Sequence, residues 1–114
     1  MNGFSISMNG SVFDNEIITK ESIKKIIDYV TKETQCGNYE FFTLIDDKTG
    51  NFIQTALEGN EYHVEIRYLH IGGQKGIYVK KVFGYKDMIE LFHDFYERKI
   101  INTEGFEDIS HYLN

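Results

Sequence analysis

Residues 61–68 read EYHVEIRY, and three of these side chains could do chemistry together. An imidazole can activate water, a carboxylate can orient it, and a guanidinium can neutralise charge developing on a phosphoryl group. If the segment is extended, its side chains alternate, so His63, Glu65 and Arg67 share one face while Tyr62, Val64, Ile66 and Tyr68 take the other. A small phosphoesterase or nuclease is one reading of that trio. An ordinary solvated or partner-facing sheet surface is the other. The enzyme reading needs a second histidine or a paired carboxylate from a neighbouring strand, where the sequence offers Thr43, Gln54, Thr55 and Lys80. His70, His93 and His111 lie at no spacing that brings two rings to one metal ion. The partner-facing reading is therefore preferred, and no catalytic residue, metal site or cofactor is expected.

The elements that position this face follow from periodicity. TKESIKKIIDYVTKET is expected as a first helix over about residues 20–34, with Thr19 as its cap, Glu21 at its positive end and Ile23, Ile26, Ile27 and Val30 as its apolar stripe. From Tyr39 the period changes to two. YEFFTLI, NFIQTAL, EYHVEIRYL and IYVKKVF read as four strands joined by DDKTG, EGN and HIGGQKG. Short links force antiparallel neighbours, because a parallel return needs a crossover of about a dozen residues. GYKDMIELFHDFYERK is expected as a second helix over about residues 85–99, burying Met88, Leu91, Phe92 and Phe95. The expected fold is α+β over residues 1–114, a single domain in which an antiparallel meander of four or more strands is packed by two amphipathic helices. Ile26, Val30, Val64, Ile66, Leu91 and Phe95 are expected in its core. DNEIITK is a candidate edge strand, and the apolar residues of the tail imply that it folds back onto the body.

Other motifs point to structure before chemistry. HIGGQKG leads into a strand where a phosphate-cradling loop would lead into a helix, so its glycines are expected simply to turn the chain. Asp46 and Asp47 belong to a turn without the alternating acids of a calcium loop. Cys36 is the only cysteine, which excludes an internal disulfide, and it is expected as a packed residue at a helix end.

The formal net charge is -6, and the excess of acid lies late in the chain: residues 84–114 carry three basic against seven acidic side chains. That distribution suits a basic protein partner and disfavours direct nucleic-acid binding. The first ten residues have neither a basic start nor a continuous apolar run, and no stretch of about eighteen apolar residues occurs. A cytoplasmic protein without membrane contact is expected.

Phe52 and Gln54 in NFIQTA, Gly59, Val64 and Glu65 in YHVEIR, Tyr78 and Val79, and then MIELFHDFY form an ordered series over about residues 39–99. This series resembles small immunity proteins of bacterial polymorphic-toxin and contact-dependent inhibition systems. It departs from the family in having no tryptophan, with Phe106 and Tyr112 standing where the family commonly has one. The resemblance implies that the chain binds and neutralises a cognate toxin domain, often a basic nuclease. Glu65 is the first candidate for contact with that partner, or for holding Arg67 and a neighbouring lysine; Asp46, Asp47, Glu61 and Glu107 follow. A broad apolar patch on an edge strand or helix would instead mark a homodimeric regulatory module.

Overall fold

The alternation of residues 61–68 runs through a whole sheet in the computed structural model, which describes residues 3–8, 11–13, 18–38, 40–71 and 74–113. Among these residues seven strands form one antiparallel sheet: β1 (Phe4–Met8), β2 (Ser11–Phe13), β3 (Phe41–Asp46), β4 (Phe52–Glu58), β5 (Glu61–Ile71), β6 (Gln74–Phe83) and β7 (Glu107–Asp108). Their spatial order is β2-β1-β3-β4-β5-β6-β7, so β3 to β7 form the meander and β1 extends it on the far side of β3. Helix α1 (Lys20–Gln35) lies against β3 and β4, and α2 (Tyr85–Tyr96) lies against β3 and β5. The fold is α+β, as the periods require.

Helix α1 begins where the sequence places it. Thr19 Oγ1 accepts from Ser22 N at 3.1 Å and Ser22 Oγ accepts from Thr19 N at 2.8 Å, which satisfies two otherwise unpaired donors reciprocally. Ile23, Ile27 and Val30 are its buried stripe, while Ile26 sits at the edge and is only partly covered. Cys36 follows the helix and is exposed, in contrast to the packed position expected of it.

Helix α2 is shorter than expected, because the chain reverses at Arg98, a non-glycine residue at φ 58°. Met88, Ile89, Phe92 and Phe95 are buried, and Leu91 is partly covered. From the sheet, Phe42, Leu44, Ile53, Val64 and Ile66 meet these helices with no exposed surface. Phe42 and Phe92 pack with ring centroids 5.5 Å apart. Tyr62 and Tyr68 join the core because each hydroxyl finds a partner: Tyr62 shares a 2.8 Å bond with Thr31 Oγ1, and Tyr68 accepts from Ile101 N at 3.2 Å.

Three expectations change. The edge strand placed at DNEIITK lies partly outside the described residues, and Ile18 and Thr19 lead directly into α1; the N-terminal strands are instead β1 and β2. HIGGQKG is mostly strand, since β5 runs to Ile71 and β6 starts at Gln74. Gly76 lies inside β6, where a Cβ would come within 1.9 Å of the Tyr68 carbonyl oxygen, so close backbone approach requires a glycine there. Gly72 and Gly73 lie outside the described residues. The tail does fold back: Ile101 and Ile109 are buried, and Ile109 N donates to Tyr78 O at 2.7 Å.

Candidate functional site

The two helices cover one face of the sheet, and the register builds transverse rows of side chains on the other. Thr43 opposes Gln54, Gln54 opposes Glu65, Glu65 opposes Lys80 and Lys80 opposes Glu107, one residue from each of five adjacent strands. Neighbouring strands are about 4.8 Å apart, so polar side chains in one row can bond laterally.

They do so around Glu65. Gln54 Nε2 donates to Glu65 Oε1 at 2.7 Å, and Thr43 Oγ1 donates to Gln54 Oε1 at 3.0 Å. The Tyr78 hydroxyl, from the adjacent row, donates to the same Glu65 oxygen. A carboxylate can only accept, so Gln54 must present its NH2 to Glu65 and its carbonyl to Thr43. Burial, and then the bond to Glu65, push the Tyr78 phenol above its ordinary range, which keeps it a proton donor. Glu65 is thereby held by two donors at Oε1, and no hydrogen bond falls on Oε2. Phe52 meets the Tyr78 ring edge-on at 5.9 Å, so an aromatic pair borders the network.

The expected role of Glu65 in holding Arg67 is not what the geometry gives. Arg67 Nη1 donates to the carbonyls of Tyr68 at 2.7 Å and Ile77 at 3.1 Å. His63 Nε2 lies 3.4 Å from Glu58 Oε2. The three residues that opened the sequence reading share a face, and each is engaged by a different neighbour. Thr55, counted above among the neighbours of the trio, lies on the covered face with its hydroxyl buried and without a hydrogen-bond partner.

The other candidate acids occupy distinct settings. Asp46 is buried, 6% exposed, and bound by Arg98 through Nε at 3.1 Å and Nη2 at 3.3 Å. It also accepts from Lys48 N at 3.0 Å, so this acid ties the β3–β4 turn to the end of α2. Asp47 is exposed and accepts from Ser5 Oγ at 2.6 Å. Glu61 is exposed and directly opposite Glu58 at the β4–β5 hairpin. Glu107 is exposed on β7, opposite Lys80.

Beside Glu65 lies an open depression of about 240 Å³, lined by Phe41, Gln54, Ala56, Glu58, His63 and Glu65. Lys80 and Glu107 line a separate depression together with Lys81 and Gly105. Among the described residues no group of three or more His, Cys, Asp or Glu side chains is placed to hold a metal ion, and no helix is long and apolar enough to cross a membrane. The exposed large apolar residues are Tyr29, Val82, Tyr85 and Ile100, distributed over α1, β6, the start of α2 and the segment after it.

No protein-family model, curated protein or solved structure matches the chain.

Sequence reasoning placed Glu65 on the correct face but missed its partners. Gln54 and Tyr78 stand at alternate positions of their strands, and that period carried the signal for their face. What it lacked was the register that sets them beside Glu65.

Proposed function

We propose that this protein is an immunity-type inhibitor, a cytoplasmic binding protein that neutralises a basic toxin domain, with a nuclease as the favoured kind. The observation that carries this reading is the Glu65 network. An uncovered sheet face holds a carboxylate in a fixed orientation by two lateral hydrogen bonds, next to an aromatic pair. A pre-positioned anion on a rigid face suits recognition of a cationic side chain, because little ordering entropy remains to be lost on binding. Exposed acids at the hairpin, Glu58 and Glu61, add a negative rim suited to attracting a basic partner. His63, Glu65 and Arg67, which a phosphoesterase would have to converge, are each bonded elsewhere. The resemblance over residues 39–99 supplies the class of partner.

The test is co-expression with the C-terminal toxin domain of a large secreted protein encoded beside this chain. The expected outcome is a stable complex, weakening as salt rises, and protection of a susceptible cell. Absence of both complex and protection would overturn the reading. So would metal-dependent phosphodiester turnover by this protein alone that is lost in His63→Ala.

A further inference from the structure

We propose that the depression beside Glu65 is a socket for one arginine side chain of the partner, an inference that rests on the inhibitor reading and specifies its anchor. Three features of the site select that side chain. First, the two hydrogen bonds that fix Glu65 converge on Oε1, from Gln54 and from Tyr78, and leave Oε2 available as an acceptor. Second, a second carboxylate lines the same depression: Glu58 leans over His63, with its Oε2 3.4 Å from the ring nitrogen. His63 belongs to the row next to that of Glu65, and rows on one face are two residues, or about 7 Å, apart. A guanidinium donating to one carboxylate from each end spans about this separation, which the single nitrogen of an ammonium does not. Third, Phe41 forms part of the wall, and a flat delocalised cation stacks on an aromatic ring better than a compact hydrated one does.

The cations on this face do not fill the socket. Arg67 is bonded to the Tyr68 and Ile77 carbonyls. Lys80 opposes Glu65 in the register but has no ion pair with it, and it lines the separate depression with Glu107. The site is thus anionic, anchored and open, the complement of an arginine presented on a basic protein.

The direct test uses the full chain, isotopically labelled, and three small probes at matched ionic strength: N-acetyl-arginine amide, its lysine counterpart and its uncharged citrulline counterpart. NMR should show saturable shifts for the arginine probe through the millimolar range, centred on the Gln54 side-chain NH2 and the amides of Ala56 and Glu65. The lysine probe should bind severalfold more weakly, and citrulline should give no saturation. Glu65→Gln should weaken the arginine probe at least tenfold. Glu58→Gln, at an exposed position with no part in the core, should weaken it severalfold and guards against misreading a folding defect. Arginine shifts scattered over the surface, unchanged in both variants, or matched by lysine would overturn the socket.

Parallel measurement with the neighbouring toxin domain separates the two readings. Tight complex formation with no arginine-probe binding would remove the socket and leave the inhibitor. Probe binding that depends on Glu65, without any complex, would leave the socket and remove the inhibitor.

Discussion

The two faces of the sheet are made by the same strands at alternate positions, yet they solve opposite problems. On the covered face Phe42, Leu44, Ile53, Val64 and Ile66 pack against Ile23, Ile27, Met88 and Phe92, and the energetics are those of apolar burial. On the open face Thr43, Gln54, Glu65 and Tyr78 bond sideways across four strands. Each such bond adds only about 0.5 to 1.5 kcal/mol of net stability, because water competes for the same groups. The covered face therefore carries the fold, and the open face carries orientation. A side chain that contributes little to stability while being held in one place is suited to recognition.

The largest effect should come from the covered face. Phe92→Ala removes a ring with no exposed surface that packs on Phe42, and should cost about 3 to 5 kcal/mol in denaturant unfolding. Ile66→Ala and Phe95→Ala should cost about 2 to 5 kcal/mol for the same reason. Substitution of Glu65 by Gln should change stability by less than about 1 kcal/mol, since the amide oxygen can still accept. Equal losses in the two sets would end the distinction between the faces.

Next in size is the acid that crosses that division. Asp46 lies at the end of β3, buried, with a two-pronged bond to Arg98. Arg98 is held at positive φ, and its guanidinium lies 4.5 Å from the Phe4 ring centre. Asp46→Ala should cost about 1.5 to 3 kcal/mol, the usual range for hydrogen bonds to a charged group. Thermal unfolding is the measurement. The partly exposed Arg98 regains water, which keeps the loss below that of a fully buried pair.

Thr55 tests the covered face from the other side. Its hydroxyl is buried among apolar groups and unpaired, so Thr55→Val, close in shape, should raise stability by about 1 kcal/mol. A loss of stability would mean that the hydroxyl has a partner after all.

These residues also mark how far the sequence could be read. A two-residue period identified both faces of β5, and Val64, Ile66, Val30 and Phe95 lie in the core as their spacing requires. Ile26 and Leu91 belong to the right helices but border the stripe, because spacing gives a face to within one position and packing decides its edge. Phe4, Ile6 and Met8 alternate with Ser5 and Ser7, a strand signal too short to stand out before β3 offered it a partner. The ladder through Gln54 and Tyr78, and the pairing of Asp46 with Arg98 over 52 positions, depend on register and long-range docking. Local propensity contains neither.

A smaller effect distinguishes the faces at alkaline pH. Burial raises the phenol pKa of Tyr68 on the covered face; on the open face burial, and then the Glu65 bond, raise that of Tyr78. An unfolded tyrosine ionises near pH 10, so above that pH the unfolded chain loses protons first. The stability linked to these groups is complete below about pH 10 and is lost as pH rises toward their folded pKa values. Tyr78→Phe and Tyr68→Phe should each flatten this decline in unfolding measured across the alkaline range. Glu65→Gln should flatten it in part, by removing the anion that opposes a tyrosinate at position 78 and leaving burial in force. No change in slope in Tyr78→Phe would separate that ring from the network.

The smallest effect belongs to the rim. Glu58 and Glu61 are opposed at the β4–β5 hairpin, where like charges repel, but both are exposed and salt screens them. Glu61→Gln should therefore raise stability by no more than about 0.5 kcal/mol at low salt, and the gain should disappear at high salt. In binding, the same substitution should slow association with the basic toxin domain severalfold and leave dissociation nearly unchanged, because a solvated rim charge acts on encounter. Glu65→Gln should do the reverse, speeding dissociation while hardly altering association, because its carboxylate is fixed at the centre of the face and loses water on contact. Stopped-flow association and surface-bound dissociation of the two variants measure both rates. If Glu61→Gln speeds dissociation as much as Glu65→Gln does, the hairpin rim lies inside the contact, and the network at Glu65 is not its anchor.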